Sequence, residues 1–417
     1  MSTPLPDSCD SPQIPLVPYE QALQNLLQQA SVVGETELVG VSTALGRVLA
    51  EDVKSSINVP PADNSSMDGY AIRSADVKEA GPTRLRLTQR IAAGHTGTTL
   101  AAGEAARIFT GAPIPDGADA VVMQEQVTVE GDSIVFEVTV SRGQNIRLAG
   151  EDITEDQVIL KQGTRLRAQE LGLAASIGLT ELKVRRRLRV GIFFTGDELV
   201  EPGQALAPGK IYDSNRYTLN GLLGSLDCEI IDLGIVGDTL QQTRDAISRA
   251  TAQADLVITS GGVSVGEEDH VRIALEQLGE LYMWRLNIKP GKPLAFGMVN
   301  GTAFIGLPGN PVSVFATFCL FVSPFIKKRQ GCTQIAPRPM RVTADFSWPR
   351  PDRRREFARA RLLRDAENGL RADIYPNQSS GVLMSTSWAD GFVVIPEQTS
   401  VEPGDTLDYY AFTDMLG

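Results

Sequence analysis

The sequence has 417 residues, of which 42% are hydrophobic and 22% are charged, and its formal net charge is −12. At roughly 150 residues per domain, this length predicts two to four domains. The hydrophobic share is large enough to build packed cores, which argues against a disordered chain. The acidic balance argues against nucleic acid as a partner, because such partners attract positively charged surfaces. No uninterrupted apolar run reaches the roughly 18 residues of a membrane span, so we expect no membrane association.

Targeting and redox features favour the cytoplasm. Residues 1–15, MSTPLPDSCDSPQIP, lack the basic start and apolar core of a secretory signal, and we expect a disordered leader there. The cysteines are widely separated: Cys9, Cys228, Cys319 and Cys332. This spacing indicates neither a disulfide framework nor a thiolate zinc site. Because there are only two histidines, His95 and His270, histidine-based triads and multi-histidine metal sites are also nearly excluded.

The first part of the chain predicts a helix followed by short strands. The segment YEQALQNLLQQA places Leu23, Leu26, Leu27 and Ala30 on one helical stripe. From about residue 50 to 150, β-like runs such as RLRLTQRI and GDSIVFEVTV are separated by glycine and proline turns. That pattern is typical of a small all-β unit. A further helix is predicted in RAQELGLAASIG, ending at Gly178.

From about residue 185 onwards, predicted strands alternate with predicted helices. The strands are RLRVGIFF, CEIIDLGIV, DLVITS and GTAFIGL, and the helices are SNRYTLNGLLGSL, TLQQTRDAISRATAQA, EDHVRIALEQL and PVSVFATFCLFVSPFIKK. This alternation predicts a parallel, doubly wound sheet in a three-layer α/β domain. After the proline-containing linker GCTQIAPRPM, short strands return and indicate a small C-terminal β domain.

Loops that follow the α/β strands contain candidate ligand-binding residues. In an open α/β sheet, ligands bind at the carboxyl ends of the strands. The loops TGDEL, GD, SGGVSVGEED and LPGNP contain Thr195, Gly196, Glu198, Asp238, Gly261, Gly262, Ser264, Asp269, Pro308, Gly309 and Asn310. One such loop would be interpreted as an ordinary turn or helix cap, whereas several at one edge favour a binding site. Neither of the common glycine-rich nucleotide fingerprints is present.

Cations and carboxylates occur together near these loops. The turn IKPGKP supplies Lys289 and Lys292, and Arg285 lies just upstream. Taken alone, this turn fits an exposed surface turn as well as it fits an anion site. Backbone amides and lysines suit an anion, while the acids of the loops suit a hard cation. The combination therefore predicts an anionic ligand accompanied by Mg²⁺.

Three motifs that precede the α/β region also contain candidate ligand-binding or catalytic residues. DNSSMDGYAIR contains Asp68, FTGAP contains Thr110, and NIRLAGEDI contains Arg147 and Asp152. Each motif by itself could be an ordinary turn. Because the acids lie in separate segments, their spacing does not indicate whether they act as an acid/base pair.

Taken together, the motifs resemble one family. DNSSMDGYA, TGAPIPDGADAVVMQE, GQNIRLAGEDI, TGDEL, SGGVSVGEEDH, IKPGKPLAFG and GLPGNPVS occur in the order and spacing of the molybdopterin molybdenumtransferase family of the MoeA type, which is related to the C-terminal domain of gephyrin. The resemblance implies a multidomain α/β plus β fold. Its parts are an elongated N-terminal region at 16–53 and 142–183, an inserted β domain at 54–141, a doubly wound molybdopterin-binding α/β domain at 184–330 and a C-terminal β-barrel domain at 338–417.

The resemblance also implies an enzyme that inserts molybdate into adenylylated molybdopterin, with Mg²⁺, and releases AMP. It implies a homodimer with a cleft shared between subunits, and partners among other molybdenum cofactor biosynthesis proteins. The implied catalytic residues are Asp68, Thr110, Asp152, Glu198 and Asp269, and the implied metal ligands are Glu198, Asp238 and Asp269. The implied cofactor-binding residues are Arg147, Thr195, Gly196, Asp238, Gly261, Gly262, Ser264, Arg285, Lys289, Lys292, Pro308, Gly309, Asn310, Arg359 and Ser380.

Two alternatives stay open at this point. A molybdopterin-binding or scaffold protein of the same family would lack insertase activity, and a molybdopterin adenylyltransferase would use a related α/β domain. The adenylyltransferase leaves the long N-terminal part and its motifs unexplained. Three positions depart from the family pattern. Ala149 replaces a frequent arginine and Arg285 a frequent lysine, and both changes bear on anion affinity, whereas His270 replaces a common aromatic residue and is interpreted as a surface histidine.

Overall fold

The computed structural model describes residues 16–262, 270–365 and 369–417. The chain forms an N-terminal region, a β domain inserted into it, an α/β domain and a C-terminal β barrel, and buried apolar clusters fill each of them. The predicted leader at 1–15 and the predicted site residues Ser264 and Asp269 lie outside the described residues.

The N-terminal region is assembled from two chain segments that flank the inserted domain. Its strands form short antiparallel pairs: Thr36–Gly40 with Glu181–Arg185, and Val53–Lys54 with Val158–Leu160. Ala174 of the helix Ala168–Ser176 is buried in a core that also contains Leu49 and Val184. The predicted helix in this segment is therefore present, and its Ala174 faces this core.

The first helix, Tyr19–Gln28, packs on the α/β domain. Its residues Tyr19, Ala22 and Leu26 are buried in the cluster that covers one face of the central sheet. The preceding strand Leu16–Val17 pairs in parallel with Arg285–Leu286. Periodicity predicted the apolar face of this helix, but only the tertiary structure shows that the α/β domain covers it.

The inserted domain is a six-stranded sheet. In spatial order its strands are Ala120–Met123, Gly69–Ile72, Glu104–Ile108, Thr83–Ile91, Ser133–Phe136 and Thr128–Glu130, and short 3₁₀ turns occur at Ser74–Asp76 and Gln124–Gln126. Its base is tied to the N-terminal region by the pair Asn64–Ser65 with Ile146–Arg147. This arrangement confirms the predicted all-β character of the segment.

The α/β domain has a seven-stranded sheet between two helical layers. In spatial order the strands are Leu16–Val17, Gly279–Leu286, Pro293–Val299, Thr302–Leu307, Leu256–Ser260, Arg189–Thr195 and Glu229–Val236. Helix Ser214–Ser225 and the helical segment 311–329 cover one face, and helices Leu240–Thr251 and His270–Leu278 cover the other. Alternating residues of one strand serve the two layers: Ile192 and Phe194 face the first, and Phe193 faces the second.

The four predicted strands of this sheet run parallel to one another, as predicted, and two further strands on one side of the sheet run antiparallel. Pro293–Val299 runs antiparallel to Thr302–Leu307, and Gly279–Leu286 runs antiparallel to Pro293–Val299. The two-residue turn Asn300–Gly301 explains the first reversal, since both residues have positive φ (52° and 80°), as a tight hairpin turn of this type requires. A hairpin of two residues can join only antiparallel strands.

The helical segment 311–329 is long and apolar enough to cross a membrane by length and composition, and most of it is buried inside the protein. It consists of helix Pro311–Thr317, a π-helical turn Phe318–Val322 and helix Ser323–Arg329. Phe318, Phe321 and Phe325 are fully buried in the core of the α/β domain. Its apolar character is thus explained by packing against the sheet.

The C-terminal domain closes into a five-stranded barrel, which confirms the predicted barrel domain. Its strands are Met340–Ala344, Gly369–Ile374, Arg355–Asp365, Gly391–Ile395 and Thr406–Ala411, with helices Met384–Trp388 and Phe412–Leu416. Closure comes from the pairing of Arg355–Asp365 with both Gly369–Ile374 and Gly391–Ile395. The short strand Ile288–Lys289 pairs with Arg355–Glu356, which brings the predicted basic turn against the barrel.

Candidate active site

A cleft of about 700 Å³ lies where the carboxyl ends of the parallel strands meet the C-terminal barrel. We call it the main cleft. One wall consists of strand-end loops of the α/β domain, and the other consists of the basic turn and the segment 378–380 of the barrel. The main cleft is lined by Thr195, Gly196, Glu198, Asp238, Gly261, Gly262, Lys289, Pro290, Gly291, Lys292, Pro293, Pro308, Gly309, Asn310, Ser313, Arg354, Gln378, Ser379 and Ser380.

Two glycines let the backbone itself form part of the α/β wall. Gly261 has φ +96°, and a Cβ atom added there would lie 2.7 Å from the carbonyl oxygen of Thr195. Gly262 has φ +62°, and a Cβ atom there would lie 2.7 Å from a methyl carbon of Val271. A side chain at either position would combine backbone strain with a steric clash. These glycines therefore allow a close backbone approach to a ligand.

Two predicted acids lie along the same wall. Glu198 is exposed to solvent and folds back over Gly196, where an added Cβ would lie 2.6 Å from its carboxylate oxygen. Asp238 is half-buried and follows the strand Glu229–Val236. Both acids line the main cleft, so the tertiary structure brings together carboxylates that are 40 residues apart in the sequence.

The predicted basic turn lies on the opposite wall, and most of the cations there have carboxylate partners. Lys289 donates to Glu356 over 3.1 Å. Arg354 makes a bidentate pair with Asp352, at 3.1 and 2.8 Å, and this pairing lowers the pKa of Asp352 to about 2. Burial of Glu356 raises the pKa of its carboxyl, which the positive charge of Lys289 opposes. Much of the positive charge on this wall is thus already balanced.

Lys292 differs from the other two cations that line this wall, Lys289 and Arg354, in its surroundings. No carboxylate of the described residues lies within ion-pair distance of its ammonium group. Burial, followed by the positive charges of Arg285, Arg354 and Arg353, lowers its pKa. Arg285 itself is not among the residues that line the main cleft, but its charge reaches Lys292. A cation that is held near other cations is well suited to bind an anion, because an anion relieves the repulsion.

Arg359 does not reach the main cleft, and instead holds the segment that lines it. Its side chain is 1% exposed and donates to Ser385 Oγ at 3.0 Å and to the carbonyl oxygen of Ser379 at 3.2 Å. Burial lowers its pKa to about 10. Ser380 lines the cleft, and its carbonyl oxygen accepts from the backbone N–H of Val312 at 3.0 Å. The hydrogen bonds of Arg359 therefore hold the segment that lines the cleft, and its role in cofactor binding stays a prediction.

The predicted N-terminal residues form a second group away from the main cleft of the same chain. Asp68 accepts two hydrogen bonds from Thr110, from its backbone N–H at 2.8 Å and from its hydroxyl at 2.9 Å. These bonds lower the pKa of Asp68, which is exposed. Arg147 and Asp152 are exposed in the neighbouring loop. None of these four residues lines the main cleft as the described part of one chain forms it.

Sequence reasoning missed several residues of the barrel wall. Arg354, Gln378 and Ser379 line the main cleft but were not among the candidates. The run RRREF before a predicted strand was an available signal for Arg354. No pattern in the sequence indicated Gln378 or Ser379, because their place depends on how the barrel docks on the α/β domain.

Comparison with known proteins shows the family. Three family models match in order: the MoeA N-terminal region (domain I and II) at residues 17–178, a probable molybdopterin binding domain at 191–328 and the MoeA C-terminal region (domain IV) at 341–412. The molybdopterin molybdenumtransferase of Haemophilus influenzae is 40% identical over 406 residues, which cover 96% of this chain and 100% of that protein. The chain belongs to the molybdopterin molybdenumtransferase (MoeA) family.

Other MoeA proteins and their relatives agree with this assignment. The molybdopterin molybdenumtransferase of Nostoc sp. is 40% identical over 79% of this chain and 76% of that protein. A crystal structure of the molybdopterin biosynthesis MoeA protein of Pyrococcus horikoshii matches with a TM-score of 0.83 and 31% identity, covering 95% of this chain and 100% of that one. Gephyrin of Dictyostelium discoideum is 34% identical over 76% of this chain and 50% of gephyrin. The predicted family resemblance is confirmed.

Proposed function

We propose that this chain inserts molybdenum from molybdate into adenylylated molybdopterin, in a Mg²⁺-dependent reaction that releases AMP. The observation that supports this most directly is the main cleft. It sets glycine backbone and the acids Glu198 and Asp238 opposite Lys292, which has no carboxylate partner among the described residues. It does so in a chain that is 40% identical, over 96% of its length, to a protein named for this transfer.

The acids of the main cleft fit a Mg²⁺ ion that shares its coordination with the substrate. Mg²⁺ is usually held by one or two carboxylates, while waters and substrate phosphates fill its other positions. Glu198 and Asp238 supply such a set, and within the described residues no three Asp, Glu, His or Cys side chains form a metal cluster by themselves. Asp269 stays a predicted third ligand. When bound, the ion would neutralise phosphate charge and polarise the phosphoryl oxygen.

The basic wall supplies sites for the oxyanions. Molybdate and the phosphates of the substrate are anions that must be held side by side while the dithiolene sulfurs replace oxo ligands and the bond to AMP breaks. Within the part of the chain that the structure describes, the ammonium group of Lys292 has no carboxylate partner, and Ser379 and Ser380 lie at the same wall. Groups fixed in this way contribute by orienting the two reactants, which accounts for a large part of many enzymatic rate enhancements.

We further propose that the protein is a homodimer in which a second copy supplies Asp68, Thr110, Arg147 and Asp152 to the main cleft. These residues are exposed and do not reach the cleft of their own chain. The hydrogen bonds from Thr110 keep Asp68 ionised to a lower pH than usual, as an acid that faces a cation requires. We place the reaction in the cytoplasm, with other cofactor biosynthesis proteins as partners.

The insertion activity is tested with purified full-length protein, adenylylated molybdopterin, molybdate and MgCl₂. We expect AMP release together with cofactor that activates an apo-molybdoenzyme. If the protein binds the pterin but releases no AMP, the result would indicate a binding or scaffold protein without insertase activity. AMP formation from ATP and molybdopterin, without molybdate, would instead indicate an adenylyltransferase.

The shared cleft is tested by mixing two inactive variants, Asp68→Asn and Glu198→Gln, after reversible dissociation. Random re-pairing of a two-fold dimer should restore about a quarter of wild-type activity, since one cleft of each mixed dimer keeps both residues. Each variant alone should stay inactive. If mixing restores nothing while co-purification of two differently tagged copies shows mixed dimers, the two residues act in the same chain or not at all.

A further inference from the structure

A cavity of about 300 Å³ lies at the junction of the N-terminal region, the α/β domain and the C-terminal domain, and we call it the junction cavity. In the described part of the chain it shares no lining residue with the main cleft. Its lining includes three cations, Arg165, Arg167 and Lys327, and one acid, Asp414. The cavity is therefore positively charged, although the whole chain has a net charge of −12.

Lys327 is a buried cation of this cavity. The residue is 7% exposed, and its ammonium group donates to the carbonyl oxygen of Asp414 at 3.1 Å. Among the described residues, no aspartate or glutamate side chain lies within ion-pair distance of this group, and its two other protons have no acceptor. Burial, followed by the positive charge of Arg165, lowers the pKa of Lys327. A buried ammonium group without a counter-ion is unfavourable, and a bound anion would stabilise it.

Arg165 supplies a second positive charge to the same cavity. It is half-buried, and its Nη2 donates to the carbonyl oxygen of Ser225 at 2.7 Å. No aspartate or glutamate side chain in the described ranges lies within ion-pair distance of its guanidinium group. Burial raises the pKa of the Cys332 thiol, and the charges of Arg165 and Lys327 oppose this effect. Because that thiol also lines the cavity, the two charges converge there.

Two acids adjoin the junction cavity, and neither neutralises these charges. The carboxylate of Asp414 accepts from the backbone N–H of Arg338 at 2.6 Å. Its charge raises the pKa of Lys327 by less than Arg165 lowers it. Glu170 pairs with Arg167 at 2.7 Å, where the Arg167 side chain is 67% exposed at the rim of the cavity. The interior of the cavity thus keeps an excess of positive charge.

The size and the other lining groups of the junction cavity suit a small oxyanion. A volume of 300 Å³ equals that of about ten liquid water molecules, so it has room for a tetrahedral oxyanion with some hydration. The residues Thr164, Thr333 and Thr413 bring hydroxyl groups to the lining, and hydroxyl groups can donate to oxyanions. The positive field excludes a metal ion as the preferred occupant.

We propose that the junction cavity binds a tetrahedral oxyanion such as phosphate, with Lys327 as its main donor, Arg165 as a second charge and Arg167 at its entrance. A bound dianion would connect the N-terminal region to the α/β domain, because Arg165 and Lys327 belong to these two parts. The inference goes beyond the proposed function and does not depend on it, since none of these residues lines the main cleft.

The test measures the thermal midpoint of unfolding of the full-length protein in sodium phosphate and in sodium chloride of equal ionic strength. A ligand that binds only the folded protein raises this midpoint, and we expect phosphate to raise it by about 3–5 °C. Exclusion of phosphate from protein surfaces, and phosphate bound in the main cleft, stabilise every variant equally. The deciding quantity is therefore the difference between variants.

In Lys327→Met, the phosphate-dependent rise should fall to less than about half of the wild-type value. The midpoint in chloride should stay close to that of the wild type, because removal of a buried charge offsets the lost hydrogen bond to Asp414. The matched control is Lys328→Met. Lys328 is half-buried and donates to the carbonyl oxygen of Leu27 at 2.7 Å, but it does not line the junction cavity, so the full rise should remain.

A second variant and a second measurement guard against misfolding of Lys327→Met. Arg165→Gln removes the other charge and should also reduce the phosphate-dependent rise. A wild-type crystal that is soaked in sodium phosphate should show tetrahedral density in the junction cavity, with an oxygen about 2.8 Å from Lys327 Nζ.

Three results would overturn the proposal. Equal phosphate-dependent rises in the wild type and in both lysine variants would show that phosphate acts elsewhere, and equal losses in both would indicate a general effect of charge. A soaked crystal without density in the junction cavity would also contradict the site. Failure of the insertion assay, with the phosphate-dependent differences intact, contradicts only the proposed function.

Discussion

The two walls of the main cleft are built in different ways. On the α/β wall, exposed groups such as Glu198 extend from loops that follow almost completely buried strands. On the barrel wall, Lys289 pairs with Glu356 and Arg354 pairs with Asp352, and behind this wall the buried Arg359 donates to Ser385. Substitutions of the exposed acids on the α/β wall should therefore reduce activity without loss of stability. Most substitutions of cations on the barrel wall should reduce stability as well.

The largest effect is expected for Arg359→Met on the barrel side. The variant loses hydrogen bonds to Ser385 Oγ and to the carbonyl oxygens of Ser379 and Asn377, at about 1 kcal/mol each, so the free energy of unfolding should fall by about 3 kcal/mol. Chemical denaturation measures this. The matched variant Arg361→Met, on the same strand but exposed, should cost well under 1 kcal/mol. If both variants lost the same free energy of unfolding, the buried hydrogen bonds of Arg359 would not stabilise the barrel side as proposed.

On the α/β wall, Glu198→Gln should lower the rate of AMP release by about 100-fold, since a charged group near the reacting phosphate is removed. Its free energy of unfolding should remain within about 0.5 kcal/mol of the wild type, as for other exposed positions. The control is Glu229→Gln. Glu229 is exposed at the amino end of a strand, and hence at the opposite edge of the sheet, so this substitution should leave the rate of AMP release unchanged. An active and stable Glu198→Gln protein would remove Glu198 from the proposed site.

Lys292→Ala tests a cleft-lining cation that has no carboxylate partner among the described residues. We expect molybdate binding to weaken about tenfold, which is the typical effect of losing a charged hydrogen bond. Stability should be retained, because no buried carboxylate loses its partner. Isothermal titration with molybdate measures the affinity, and Lys183→Ala, which breaks an exposed ion pair with Glu51, serves as control. Unchanged affinity would assign molybdate to another part of the main cleft.

The smallest effect is a change in pH dependence. The pKa of Lys292 is lowered, so its charge is lost at a lower pH than that of an ordinary lysine. Molybdate binding needs the charged form and should therefore weaken on the alkaline side below the usual lysine pKa of about 10.4. In Lys292→Arg, the alkaline loss of molybdate binding should occur at higher pH, since arginine stays charged. Identical alkaline limbs in both proteins would show that another group controls the titration.

Much of the fold follows from local patterns in the sequence. Alternating apolar residues such as Ile192, Phe193 and Phe194 predict a strand covered on both faces, and glycines after the strands predict close backbone turns. The hairpin at Asn300–Gly301 was also readable, because this dipeptide is a strong signal for a tight antiparallel turn. It was missed because the alternation of strands and helices dominated the interpretation of the region.

The sequence by itself determined the order of the domains, the strand-end loops and the chemical types of the candidate residues, because these depend on short-range periodicity and turn chemistry. Only the tertiary structure decided which side chains meet. It placed Glu198 and Asp238 along one cleft, buried Arg359 behind Ser379, and brought Lys327 and Arg165 to the junction cavity. Such contacts join residues that are distant in sequence, and they arise from the docking of whole layers and domains.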